Sequence, residues 1–235
     1  MKNLLMTLAL LISTSIMAQQ KTDRYQTPLG ELEVTPINHG SVMLQINGKV
    51  IHIDPYELTA DYGALPKAGL VLITHEHEDH YDKKALGKIA TAETQFVATQ
   101  AVADAGLEQA QVMNNGDETV WNDIKIEAAP AYNLTHTRPD NNMPFHPKGA
   151  GNGYVLNFGT FRLYIAGDTE NIPEMSALGK IDIAFLPKNL PYTMDDDQFV
   201  TAAKQVQPKY LYPYHYFEID YNSLRAKLPE TIELK

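Results

Sequence analysis

The sequence predicts an α/β sandwich, two β-sheets packed on each other with helices outside, and not a single doubly wound parallel sheet. Three observations predict it. The early part of the chain is rich in hairpin signals, each half carries short buried strands, and helical spacing follows those strands in both halves. With 235 residues, 44% of them hydrophobic and 20% charged, the chain can bury a sizeable core. No long linker, low-complexity tract or repeat interrupts residues 19–235, which read as one domain.

The elements follow in order. Leu32 to Ile37 alternates as a strand does. Val42 to Ile46 and Val50 to Ile53 flank Asn47-Gly48, a dipeptide suited to a two-residue hairpin turn because both positions tolerate positive φ. Leu70 to Ile73 is a wholly apolar strand, and Lys83 to Ala90 has helical spacing. Phe96 to Ala98 reads as a strand, Gln100 to Ala105 as a short helix, Asn115 to Asp117 as a turn, and Thr119 to Ala128 as an alternating strand. Residues 130–152, crowded with Pro, Asn, His and Gly, form the one long loop. Within it Gly149 to Gly153 reads as a turn and not a phosphate cradle, since the following helix and lysine are missing. Tyr154 to Phe158 and Phe161 to Ile165 make a second hairpin across Gly159-Thr160. Ile181 to Leu186 is another buried strand, Asp197 to Val206 a helix, and Tyr210 to Pro213 leads into His215.

At the N-terminus Lys2 precedes an apolar run from Leu4 to Ile16, and the chain turns polar at Gln19-Gln20-Lys21. Residues 1–18 therefore read as a secretory signal with Ala18 the last residue removed; the alternative is an uncleaved anchor. An exported protein is expected, periplasmic or secreted, without stable membrane insertion once the signal is cleaved. A net charge of −10 argues against a nucleic-acid partner, because phosphate backbones attract basic surfaces, and leaves a small molecule as the expected substrate. There are no cysteines, so disulfides, thiolate ligands and a catalytic thiol are excluded. Any metal must be held by imidazole and carboxylate, which favours zinc or another borderline-to-hard divalent ion.

Chemistry concentrates in Thr74-His75-Glu76-His77-Glu78-Asp79-His80. In a segment of period two, His75 and His77 project to the same side and both reach one ion. Asp79 and His80 come where the chain turns toward a helix and face a second ion beside the first. The apolar strand before them supplies rigid support. Three of the chain's eight histidines lie within these few residues, so a coincidental charged loop is the weaker reading. Taken alone, Asp168, which follows the apolar Phe161–Ile165 run in Ala166-Gly167-Asp168-Thr169, reads as a ligand or as a helix cap, and His215 as a ligand or a packed histidine among tyrosines.

His75-x-His77-x-Asp79-His80 after an apolar strand resembles the signature of the metallo-β-lactamase superfamily. Ile53-Asp54-Pro55, Ala166-Gly167-Asp168-Thr169, Tyr192-Thr193-Met194 and the stretch from Pro208 to Tyr216 are similar to the branch that contains L-ascorbate-6-phosphate lactonase. The resemblance runs from about His39 to about His215. It implies an αββα four-layer sandwich with a two-metal site along one edge. His75 and His77 would bind the first ion, Asp79, His80 and His215 the second, and Asp168 would bridge them, with a water or hydroxide between. Two zinc ions are expected, with manganese or ferrous iron as alternatives. Asp79 would also orient the nucleophile or shuttle its proton.

Two departures from the family pattern matter. Where relatives place a third histidine for the first ion, this chain reads Pro130-Ala131-Tyr132-Asn133, with Tyr132 at the expected position beside the pocket. His136 and His146 are the candidates to replace it, and His146 is favoured. Pro187-Lys188-Asn189-Leu190-Pro191 replaces a glycine pair, so Lys188 or Asn189 either touches substrate or lies in a plain loop. His39 is expected to line the pocket or support a ligand, Asp54 to orient a ligand histidine through its second nitrogen, and His52 to be structural. Asn133-Leu134-Thr135 matches a glycosylation tripeptide of the kind that arises by chance. The function expected is hydrolysis of a lactone, ester, amide or phosphodiester. The Tyr132 replacement motivates a second reading, a metal- or ligand-binding protein without catalysis. An oxidase-like di-iron role is set aside for want of an electron-carrier extension.

Overall fold

The computed structural model describes residues 21–235, so the secretory signal expected at residues 1–18 lies outside the described residues. The first sheet runs in sequence order: β1 (Asp23–Thr27), β2 (Gly30–Asn38), β3 (Ser41–Ile46), β4 (Lys49–Ile53), β5 (Leu70–Leu72), β6 (Gln95–Ala98) and β7 (Gln111–Val112). β1 to β4 are antiparallel; β4 to β7 are parallel. The second sheet repeats this plan with β8 (Glu118–Trp121), β9 (Ile124–Ala131), β10 (Gly151–Phe158), β11 (Phe161–Ile165), β12 (Ile183–Pro187), β13 (Tyr210–Tyr214) and β14 (Glu233–Leu234). There too, hairpins give way to parallel strands after β11. The parallel portions need crossovers, which α1 (Lys83–Ile89), α2 (Gln100–Asp104), α3 (Asp196–Val206) and α4 (Tyr221–Lys227) help to supply.

Alternation along the strands sorts side chains into three cores. Leu70 and Leu72 of β5 point between the sheets, where they join Leu44, Ile51, Ile126, Leu156, Leu163 and Phe185. Val71 and Ile73 point the other way, under Leu86 and Ile89 of α1. On the far side Tyr164, Ala184 and Leu211 meet Phe199 and Ala203 of α3 and Leu224 of α4. The layers are therefore helix, sheet, sheet, helix, as the sequence predicts.

Local chemistry fixes the ends. Asn47 and Gly48 both take positive φ (49° and 73°), the backbone that lets a two-residue turn match the twist of β3 and β4. Asp82 caps α1 by accepting from Lys84 and Ala85 N–H, and Asp195 with Gln198 forms a capping box on α3.

Several elements differ from the sequence reading. β9 runs on to Ala131 and β10 begins at Gly151, so the long loop shrinks to residues 132–150, and Gly151 to Gly153 are strand, not turn. A Cβ on Gly153 would lie 2.8 Å from the carbonyl oxygens of Ile165 and Ala166, so glycine there lets two chain segments touch. β1, β7, β14 and α4 escape a reading by hydrophobic period: β1 buries only Tyr25, β7 and β14 are two residues each, and α4 buries only Leu224.

Candidate metal centre

The site lies where chain leaves the ends of β5, β11 and β13, with the 132–150 loop closing one side. After β5, Ile73 N–H still donates to Val97 O, and His80 and Tyr81 N–H donate back to His77 O at 2.9 and 2.8 Å. That tight return brings His80 beside His75, ring centroids 4.1 Å apart. His75 Nε2 lies 3.0 Å from His77 Nδ1. Donor atoms of His75, His77 and His146 all fall within 4.8 Å of one another, as do those of His39, Asp79, His80 and His215. His75, His80 and Asp168 form a third such group that joins the two. Asp168 sits between: Oδ1 is 3.5 Å from His80 Nε2, and Oδ2 is 3.4 Å from His146 Nε2 and 3.6 Å from His215 Nε2.

Buried hydrogen bonds set the ring orientations. Asp54 Oδ2 accepts from His80 Nδ1 at 2.8 Å and from the Thr74 hydroxyl at 2.6 Å, while Oδ1 accepts from Thr74 N–H at 2.8 Å. With Nδ1 occupied, His80 presents Nε2 to Asp168. Asn133 Oδ1 accepts from both the backbone N–H and Nδ1 of His146, at 2.7 and 2.9 Å, which turns His146 Nε2 inward in the same way. The Asn189 amide lies 3.2 Å from His215 Nδ1. His39 Nε2 lies 2.9 Å from Asp79 Oδ2.

Three of these residues hold unusual backbone. His39, Asp54 and His215 have φ of 51°, 44° and 51°, a left-handed conformation that costs on the order of 1–3 kcal/mol each. Gly40 beside them makes room: a Cβ there would stand 2.8 Å from His80 Cε1 and 3.3 Å from His215 Cδ2.

The electrostatics divide the imidazoles. Burial, reinforced by neighbouring histidines, pushes His75 well below its usual range and His146 down to about 4, so both rings are neutral and free to donate a lone pair. Burial also opposes charge on His80, but Asp168, Asp54 and Asp79 outweigh it and raise its pKa to about 10. The field at that point favours a cation. Burial works to raise the carboxyls of Asp79 and Asp168, and the surrounding histidines overcome it and hold both well below the usual carboxylate range.

These residues fit a divalent cation. His80 Nε2, His146 Nε2 and Asp168 Oδ1 are buried and have no hydrogen-bond partner. Burying such atoms unpaired is costly, and cations bound at these groups would engage all three. Nitrogen and carboxylate donors without thiolate suit zinc or a harder divalent ion. The cluster is able to bind metal.

The structure brings together His75, His77, His80, His146, Asp79, Asp168, His215 and His39, with Asp54 behind His80. Tyr132 is a correction. Its backbone meets Thr169, but its hydroxyl donates to Glu174 at 2.9 Å, and the ring packs into the helix-side core, away from the donor atoms. Tyr132 lies one residue past β9, where the strand's alternation no longer holds, and its ring joins the helix-side core with Ala129 and Val155. His136 Nδ1 lies against Thr193 O and Glu170, outside every metal-competent group. Lys188 pairs with Asp196 at 2.8 Å. His52 is buried, its Nε2 3.0 Å from Pro66 O, a packing role.

Two residues were missed. Asn133, read only as part of a glycosylation tripeptide, is buried, and its amide also donates to Glu170 and to Tyr192 O, which leaves no room for a glycan. Its place directly after Tyr132 was the available signal. Glu170 is fully buried and accepts from Thr135 N–H, the Thr135 hydroxyl, His136 N–H and Gln198, thereby fixing the loop that carries His146. Its only signal was adjacency to Asp168 and Thr169.

Residues 33–215 match the family described as the β-lactamase superfamily domain. The chain belongs to the metallo-β-lactamase superfamily. A UPF0173 metal-dependent hydrolase of Ligilactobacillus salivarius is 30% identical, covering 86% of this chain and 95% of its own. The crystal structure of a metal-dependent hydrolase from Parabacteroides distasonis is 43% identical, with a TM-score of 0.87 over 92% of this chain and 98% of that one. A zinc-dependent hydrolase structure from Thermotoga maritima shares 19% identity and a TM-score of 0.53 over 81% of this chain and 78% of that one, a likeness of fold alone. This protein is a metal-dependent hydrolase, and His146 stands in its donor cluster although Tyr132 occupies the position where a histidine was expected.

Proposed function

We propose that this hydrolase is an exported, two-metal enzyme that cleaves a small polar substrate: a lactone, ester, amide or phosphodiester. Zinc is the first candidate metal, with manganese or ferrous iron next. The observation that carries the reading is the pair of donor groups that meet at Asp168, with three buried atoms lacking any hydrogen-bond partner at the junction. His75, His77 and His146 would hold one cation, Asp79, His80 and His215 the other, and Asp168 would touch both. Such cations would supply Lewis acidity at a substrate oxygen and lower the pKa of a bound water.

The chain's own residues do the rest. Asp54 and Asn133 engage Nδ1 of His80 and His146, so Nε2 is the atom that each ring turns toward Asp168 and would offer to a cation. Asp79 is about a third exposed toward a cavity of about 410 Å3, in contact with His39 Nε2, and in this reading it orients water and takes up its proton. The resemblance to the lactonase-like branch favours a small ring ester or phosphorylated compound over a polymer, and the acidic chain argues against nucleic acid.

The test combines metal analysis with activity. His77→Ala and Asp168→Ala should each lower bound divalent metal measured by plasma emission spectroscopy, while His52→Ala keeps the full load. Asp79→Asn should abolish turnover across a panel of lactone, ester and phosphodiester substrates. Equal metal loss in all three alanine variants would show that folding, not ligation, had been disturbed. For export, the mature protein should begin at Gln19; an N-terminal sequence starting at Met1 would contradict it.

A further inference from the structure

Two cavities open on the donor cluster, one of about 410 Å3 and a narrower recess of about 150 Å3. His77, His146, Asp168, Arg138 and Phe145 line both. Among these, Arg138 has no place in metal ligation. It forms no ion pair among the described residues, and its one side-chain hydrogen bond runs from an Nη atom to Phe145 O at 3.3 Å. The contrast with the neighbouring 430 Å3 cavity is direct: Lys188 and Lys227 there are paired with Asp196 and Asp197. Among the described arginines, Arg24 and Arg162 pair with glutamates and Arg225 is spent on three backbone carbonyls, whereas Arg138 makes a single long contact beside the donor cluster.

Its setting is rigid. Arg138 N–H donates to Met143 O at 2.8 Å, Asn142 N–H donates to Arg138 O at 2.9 Å, and Thr137 bridges to Pro144, so the arginine stands on a small closed hairpin. Glu170 grips the chain just before it, at Thr135 and His136. Beside the guanidinium, Phe145 meets Tyr192 edge to face with centroids 5.0 Å apart, and Phe217, 76% exposed, stands at the far wall.

We propose that Arg138 is the anchor for an oxyanion on the substrate, a carboxylate or phosphate remote from the bond being cleaved, and that Phe145, Tyr192 and Phe217 cover an apolar body lying between the two. Planar guanidinium donors match either oxyanion in a two-pronged contact, and exposed aromatic rings at the mouth suit an aryl or alkyl portion. The substrate class is then an amphipathic anion whose labile bond reaches the His/Asp cluster. This inference rests on that cluster being the reaction centre.

The test measures binding, not turnover, on the metal-loaded protein. Phenyl phosphate, phenylacetate and the neutral benzyl alcohol are titrated calorimetrically into wild type, Arg138→Gln and Arg138→Lys, with metal content measured in each. Arg138→Gln should weaken anion binding by about tenfold to a hundredfold, the worth of one charge-assisted contact, and leave benzyl alcohol and the metal load unchanged. Arg138→Lys should recover part of the loss. A loss confined to phenyl phosphate identifies the oxyanion as phosphate, and one confined to phenylacetate identifies it as carboxylate. Equal anion affinity in wild type and Arg138→Gln overturns the proposal, as does a parallel loss for benzyl alcohol. Absence of metal from the wild type strikes the proposed two-metal centre instead, so the two failures are distinguishable.

Discussion

Asp54→Asn separates one hydrogen bond from everything else that shapes the site. Asp54 sits at φ 44°, a region asparagine tolerates as well as aspartate, so the backbone is undisturbed. The variant keeps an oxygen for Thr74 N–H but replaces Oδ2, which accepts from His80 Nδ1 at 2.8 Å and the Thr74 hydroxyl at 2.6 Å, with an amide that donates. One of the carboxylates that raise the His80 pKa is then gone and Nδ1 must accept, so the neutral ring keeps its proton on Nε2, the buried atom 3.5 Å from Asp168 Oδ1. A protonated Nε2 has no lone pair for a cation. Losing one charge-assisted bond and weakening its neighbour should cost about 2–4 kcal/mol of unfolding free energy in the metal-free protein. Affinity for the cation that Asp79, His80 and His215 would hold should fall about 10–100-fold, the usual effect of removing a carboxylate behind a ligand histidine. Urea unfolding gives the first quantity, competition with a chelating dye the second, and nitrogen-15 spectra of the imidazoles report the tautomer. A folded Asp54→Asn protein that binds both cations as tightly as wild type would refute this reasoning.

Three further outcomes follow from the same contacts. Asn133→Ala removes the acceptor for His146 Nδ1–H and N–H, so it should lower affinity for one cation about 10–100-fold by the dye assay while the other stays bound. Tyr132→Phe removes a hydroxyl bonded to partly exposed Glu174, and should leave metal content intact and cost less than about 1.5 kcal/mol of stability. His52→Gln tests pH dependence at a residue outside the site. Burial lowers the His52 pKa from 6.5 to about 4, so its contribution is complete above about pH 6.5 and is lost as the pH falls toward 4. Wild type should lose about 2 kcal/mol from this group between pH 7 and pH 5, and the variant's unfolding curves should show that much less change.

Much of this was legible in the chain. Asn47-Gly48 announced its hairpin because only a few residue types accept the backbone required there, and the apolar Leu70 to Ile73 run announced a strand buried on both faces. The spacing of His75, His77, Asp79 and His80 was readable because those donors are neighbours in sequence as well as in space. Asp54 was expected behind a ligand histidine and stands there, whereas Asn133 and Glu170 were harder, since each works through partners 13 to 35 residues away and carries a side chain equally common in turns. Tyr132 was misplaced for a different reason. It stands just past β9, whose extension to Ala131 was hidden by Pro130 and read as loop, and its ring leaves the strand's alternation to join the helix-side core. His146 could be named as a candidate, but only the Asn133 contact explains why it, and not His136, turns inward.

A two-metal hydrolase requires that two cations share Asp168. Crystals of the protein loaded with two equivalents of zinc, measured at the zinc absorption edge, address this most directly. Two anomalous peaks about 3.5–4 Å apart are expected, one among His75, His77 and His146 and the other among Asp79, His80 and His215, with Asp168 between them. A single peak, or peaks out of reach of Asp168, would contradict the two-metal centre.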